Sequence, residues 1–154
     1  MVMQKELEYC DHCGAALKSY WHALTPGIIR ALIKALNVVR ERNKNEFHLY
    51  DDLTGSNKLT TTEQMNWTKL RFHGLVAKVK ENGEWKRGYW LITKRGGEFL
   101  RAKVEIPKKV QTFRNKVVDH STELVTIRDV IDSTEYWQID FPGEIFDPGQ
   151  KALL

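Results

Sequence analysis

Residues 60–93 read TTTEQMNWTKLRFHGLVAKVKENGEWKRGYWLIT, and this stretch decides the fold class. Thr60 followed by Glu63 is a capping box, in which each side chain satisfies the other residue's backbone N–H at a helix start. The spacing predicts a helix from there to about His73, and Gly74 supplies the left-handed stop that helix ends favour. If Leu70 and Gly74 face inward, so does Trp67. Thr61, Thr62, Thr68 and Lys69 then face outward with Met65 and Phe72, Asn66 and His73 lie on the flank, and Gln64 is ambiguous. Leu75–Lys80 alternates apolar and basic residues, as a half-buried strand does. Asn82-Gly83 is a turn signal. The turn is expected to continue through Glu84-Trp85-Lys86-Arg87-Gly88, with Tyr89–Ile92 returning as the second strand. The expectation is a hairpin whose tip carries Lys86 and Arg87.

Upstream, Thr25 is placed to cap a helix and Pro26 suits its first position, where no N–H is needed. Ile29, Leu32, Ile33, Leu36 and Val39 follow at helical spacing, with Arg30, Lys34, Asn37 and Glu41 opposite. This helix should end near Asn43–Asn45, and its wide apolar face should pack against several elements. Phe47–Leu53 reads as a short second helix, broken by Gly55-Ser56-Asn57. Downstream, Thr93 caps a further short helix to about Arg101, where Gly96 and Gly97 each cost ~1 kcal/mol relative to Ala. Val104–Ile106 and Val110–Val118 read as extended, with Pro107 favouring an edge or a bend. Thr122–Asp132 reads as a short helix and Tyr136–Phe141 as a last strand. The chain thus divides into a Cys-pair segment (1–24), a central domain (25–103), a β-rich acidic extension (104–141) and a flexible tail (142–154).

Helix, short helix, helix and basic hairpin is the order of the winged helix-turn-helix family, which residues 25–101 also resemble in detail. Leu70-x-x-x-Gly74-Leu75-Val76 looks like the close of a recognition helix running into the first wing strand. Leu91-Ile92-Thr93-x-x-Gly96-x-x-Phe99-Leu100 is similar to the "L-T-x-x-G" return after the wing in many bacterial winged-helix regulators. Val104–Val118 also resembles a stretch in uncharacterised phage and mobile-element proteins. The resemblance implies an α+β fold, a winged-helix core with a C-terminal β-rich extension. It further implies a sequence-specific, double-stranded-DNA-binding transcriptional regulator, and a homodimer, which the wide apolar helix 26–42 would support.

The charge pattern agrees with a polyanion partner. Residues 60–118 hold 14 basic against 5 acidic residues, while 119–154 hold 2 against 8. A basic middle with an acidic end is the electrostatic footprint of polyanion binding, or else a solvated surface. A helix fits the major groove, where base edges are read, and surrounding cations hold phosphates. The expected DNA contacts are Thr61, Thr62, Gln64, Thr68 and Lys69 on the helix, Lys86 and Arg87 on the wing, and Lys94 and Arg95 beyond it. The bland alternative is a core helix of a three-helix scaffold. The acidic end would either bind a protein partner or fold back on the basic region. A protein-interaction or inhibitor module of phage or mobile-element type, on the same scaffold, is the rival reading.

Cys10-Asp11-His12-Cys13-Gly14 is knuckle-like, but tetrahedral zinc wants four N or S ligands and this supplies half of a site. His22 is the nearest third ligand, His12 a poorer one, and a fourth would come from His48, His120 or a second subunit. A redox pair or two plain thiols remain open. Two cysteines are too few for a disulfide framework, Met1–Tyr9 lacks the apolar run of a secretory signal, and no stretch is long enough to span a bilayer. A cytoplasmic protein is expected. Without P-loop, G-x-G-x-x-G, H-E-x-x-H or G-x-S-x-G patterns, no enzyme is expected. His120, Glu123, Asp129, Asp132 and Asp140 read as acidic surface rather than as a cleft.

Overall fold

The computed structural model describes residues 8–9, 16–17 and 19–139, which form a mixed α+β arrangement with antiparallel sheets. Two short strands, β1 (Glu8–Tyr9) and β2 (Ala16–Leu17), pair with each other. Strand β3 (Ser19–Ala23) leads to helix α1 (Pro26–Arg42). Thr25 caps α1, its Oγ1 accepting from the Ile28 N–H at 3.4 Å, and Asn43 ends it in the left-handed region at φ 52°. The apolar stripe read from the sequence is the centre of the molecule: Ile29, Leu32, Leu36 and Val39 are fully buried. Most of this face is used within the chain, while Ile33 is only half-buried.

Phe47–Leu53 is not a helix. Phe47 and His48 form strand β4 (Phe47–His48), which pairs with Trp90 and Tyr89, and the chain then turns. Local side-chain bonds outcompete helical ones. An Asp52 carboxylate oxygen accepts from the His48 N–H at 2.6 Å, and His48 Nδ1 accepts from the Tyr50 and Asp51 N–H groups at 3.2 and 3.0 Å. A single 3-10 turn at Gly55–Asn57 then leads to helix α2 (Thr61–Phe72). Both arms of the capping box form, with Glu63 N–H donating to Thr60 Oγ1 at 3.1 Å and Thr60 N–H to Glu63 Oε1 at 2.8 Å. Trp67 and Leu70 turn inward, and the Trp67 ring meets Phe47 and Trp90 edge-on at 6.0 and 5.9 Å.

The hairpin consists of β5 (Val76–Glu81) and β6 (Glu84–Ile92), and with β4 it makes a three-stranded sheet of order β4-β6-β5. Its turn is only Asn82-Gly83, both at positive φ, so Glu84–Gly88 belongs to the strand and not to the loop. A two-residue turn of this kind matches the twist of the paired strands. Helix α3 (Lys94–Leu100) follows, capped by Thr93, whose Oγ1 accepts from the Gly96 N–H at 2.9 Å.

The extension shares the same core. Strand β7 (Ile106–Pro107) pairs with β10 (Leu124–Val125). Between them β8 (Lys109–Phe113) and β9 (Lys116–His120) fold back on each other across Arg114-Asn115, both at positive φ, so Val110–Val118 is a hairpin rather than one strand. Strand β3 pairs along β8, which joins the segment before α1 to the extension in one sheet of order β3-β8-β9. Helix α4 (Ile127–Val130) covers part of the expected Thr122–Asp132 helix, and α5 (Ser133–Trp137) takes in Tyr136 and Trp137 of the expected Tyr136–Phe141 strand, whose last two residues lie outside the described ones. Asp132 caps α5 through the Glu135 N–H at 2.8 Å, and Glu135 grips Arg30 of α1 with both carboxylate oxygens at 2.8 and 3.0 Å. Ile106, Val125, Ile127 and Ile131 lie in the cluster that holds the α1 side chains, so no core boundary falls at residue 103. No helix among the described residues is long and apolar enough to cross a membrane.

Candidate functional site

Helix α2 keeps one face open. Thr61, Thr62 and Thr68 are exposed, and Met65 between them is 77% exposed. The single acid of the helix, Glu63, is turned away from that face. Its Oε1 accepts from Lys34 Nζ at 2.7 Å. Burial works against its charge, but the bonds from Lys34 and Thr60 outweigh that and hold the carboxyl below its ordinary range. The outward surface is therefore free of carboxylates belonging to the helix itself.

Two residues at the C-terminal end of α2, Phe72 and the cap His73, depart from the expected orientation for one shared reason. Strand β3 leans on the end of the helix and sets the His22 ring 5.2 Å from Phe72, which is half-buried instead of exposed. His73, expected on the flank, is 2% exposed. Gln64, ambiguous from the sequence, folds its Nε2 back to donate to the Leu59 carbonyl at 3.4 Å and is engaged within the chain. Lys69 is half-buried and close enough to His22 to disfavour its proton.

The hairpin tip is acidic, not basic. Glu81 and Glu84 face each other across the Asn82-Gly83 turn. Lys86 stands behind the tip and is held by Glu46 at 2.6 Å and by Glu81 at 3.5 Å, with Tyr89 beneath it at 4.2 Å. The Glu46 bond raises its pKa, so Lys86 is a committed ion-pair partner rather than a free phosphate contact. Arg87 is exposed. The sequence expectation failed because it took Glu84–Gly88 for loop and so moved the tip by several residues.

The cations that remain open lie elsewhere on the hairpin. Lys78 pairs across the strands with Trp90, and Lys80 with Trp85. Cross-strand partners share a face, and Trp90 on that face touches Trp67 of α2. Lys78, Lys80 and Trp85 thus extend the helix side of the sheet beyond the core, and all three are exposed. Lys78 and Lys80 are not among the contacts expected from the sequence; the alternation of Lys78, Val79 and Lys80 was the available signal. Lys94 and Arg95 are exposed at the start of α3. The Arg95 side chain passes so close to Gly74 that a Cβ there would meet its Cδ at 3.4 Å, which places this guanidinium stem at the C-terminal end of α2.

The expected metal site cannot be assembled from the described residues, since Cys10 and Cys13 lie outside them. His22 is engaged, with Nε2 2.9 Å from Thr112 Oγ1. Partial burial first, and Lys69 second, lower its pKa and keep the ring neutral at neutral pH. Among the described residues no group of three or more His, Cys, Asp or Glu is spaced to hold a metal ion. The carboxylates of the extension have local duties: Asp129 accepts from the Thr126 N–H at 2.8 Å, and Asp132 and Glu135 act as described above. Asp140 lies outside the described residues. Glu135 reaches back to α1 rather than to the basic 60–118 region.

No protein-family model, curated protein or solved structure matches the chain.

Proposed function

We propose that the protein is a sequence-specific, double-stranded-DNA-binding regulator of the winged helix-turn-helix type, reading the major groove with α2. The observation that carries this reading is the open, carboxylate-free face of α2 beside uncommitted cations. The order α1, β4, α2, β5, β6 and the sheet order β4-β6-β5 support it, as does the size of a single helix, which suits a major groove. Thr61, Thr62 and Thr68 would meet base edges or phosphates, and Met65 a thymine methyl. Lys69, Lys78, Lys80, Arg87, Lys94 and Arg95 would hold the backbone. The acidic tip would point away from phosphate, so the hairpin would dock by its flank.

Binding to mixed-sequence duplex across a salt series tests this. Neutralising about six phosphates predicts a log–log slope near −5. Thr68→Glu puts a carboxylate at the centre of the reading face and is expected to weaken binding about tenfold, because like charges across an interface repel. Thr68 is exposed, so thermal stability should hold. Lys86→Ala is expected to leave duplex affinity within about twofold, since its charge is already spent on Glu46 and contributes little to a phosphate contact. A folded protein that ignores duplex DNA at low salt overturns the proposal.

The exposure of Met65, with Tyr20 and Trp21 half exposed on the neighbouring strand, favours a second reading, a protein-binding module on the same scaffold. Apolar and aromatic residues at a surface centre are what protein interfaces use.

A further inference from the structure

We propose that the hairpin carries a site for single-stranded nucleic acid, sharing Lys78, Lys80 and Arg87 with the duplex surface, in which Trp85 stacks on an unpaired base. Trp85 is 60% exposed although it sits on a sheet face whose next tryptophan is buried. Lys80 Nζ lies 4.7 Å and Lys78 Nζ 5.8 Å from its ring centre. Neither lysine has a carboxylate partner among the described residues. Beside the ring, the strand register slips and Gly88 adopts φ +82°, backed by His48. Here lies a recess of about 330 Å³, lined by Lys78, Trp85, Lys86, Arg87, Tyr89 and Trp90.

An indole rimmed by ammonium and guanidinium groups has the two elements of sequence-independent single-strand recognition, a stacking plane and a cationic track for phosphates. Duplex DNA offers this plane no base face, because its bases are stacked on each other. An acidic or apolar peptide would use the cations or the ring, but the paired arrangement favours an aromatic anion chain. Glu81 and Glu84 bound the site on the tip side and set the direction in which a strand leaves it. The inference goes beyond the duplex reading and does not require it.

The test is a titration of the full chain with labelled oligothymidylate and, in parallel, oligouridylate of about 15 nucleotides, a length within one domain's reach. Salt-sensitive binding is expected, and Trp85→Ala should weaken it about tenfold while Trp85→Phe restores most of the affinity. The parallel arms tell whether DNA or RNA is preferred. Unchanged melting of Trp85→Ala confirms that the variant is folded. No binding of either oligonucleotide at low salt, or equal binding by wild type and Trp85→Ala, overturns the proposal. Duplex binding without oligothymidylate or oligouridylate binding defeats this site alone. Trp85-dependent oligonucleotide binding without duplex binding defeats the duplex reading alone.

Discussion

Gly96→Ala is expected to lower the unfolding free energy by about 3 kcal/mol, the upper end of what overpacking a close-packed interior costs. A Cβ on Gly96 would overlap the Leu75 carbonyl oxygen and stand 3.0 Å from both the Leu75 carbonyl carbon and Ile92 Cγ2. Two of these three atoms are backbone, and Leu75 and Ile92 are buried at 0% and 1% exposure. The backbone there is also tied down. The Leu75 carbonyl accepts from the Thr93 N–H at 3.1 Å, and Thr93 Oγ1 donates to the Gly74 carbonyl at 2.7 Å. Moving α3 away to fit a methyl group would break the junction between the end of α2 and the end of β6. Urea denaturation should show a lower midpoint with an unchanged slope. Gly27→Ala is the control: its Cβ would meet only Thr25 Oγ1, at 3.9 Å, so stability should hold or rise slightly. Equal midpoints for Gly96→Ala and wild type would contradict the packing described.

That junction explains what was legible in the sequence. Thr93-x-x-Gly96 is informative because each residue has a separate local duty, a cap and a close approach, and local duties leave a mark on local sequence. The same holds for Thr25, for the Thr60–Glu63 box and for Asn82-Gly83. The inward set of α2, Trp67 and Leu70, followed from helical spacing, and so did the buried stripe of α1. Long-range pairings left no such mark. Phe47–Leu53 carries apolar spacing compatible with a helix, and its pairing with Trp90 and Tyr89 on β6, together with the Asp52 and His48 side-chain bonds, makes it a strand and turn. Arg114-Asn115 turns without a glycine, so the β8–β9 hairpin was hidden. The union of β3 with β8 spans most of the chain, and it decides the burial of Phe72 and His73. Of the expected contacts, Thr61, Thr62, Thr68, Arg87, Lys94 and Arg95 are open to solvent, Lys69 is half-buried, and Gln64 and Lys86 are engaged inside the chain.

Acidification from pH 7 to pH 5 is expected to cost about 2 kcal/mol of stability, chiefly through His73. His73 caps the end of α2, is buried at 2% exposure, and neither of its ring nitrogens has a hydrogen-bond partner. Burial, then the nearby His22 and Arg95, push its pKa from 6.5 down to about 4, against a weaker opposing influence of the His22 backbone. The unfolded chain therefore takes up a proton near pH 6.5 that the folded chain refuses until about pH 4. Stability is full above pH 6.5, falls as the pH drops through the window between those values, and levels off below it with respect to this group. His22, also lowered, adds loss of the same sign. Glu63 and Glu135 are held below their ordinary value of 4.5, so their contributions are lost at lower pH and leave the pH 5–7 window to the histidines. His73→Phe removes the titrating ring and keeps an aromatic plane of similar size in the same cavity. Its unfolding free energy, measured by urea titration at pH 7 and pH 5, should change by well under half as much as that of wild type. A wild type equally stable at both pH values would show that His73 is hydrated or paired in solution, and the packing of β3 against the end of α2 would have to be looser than described.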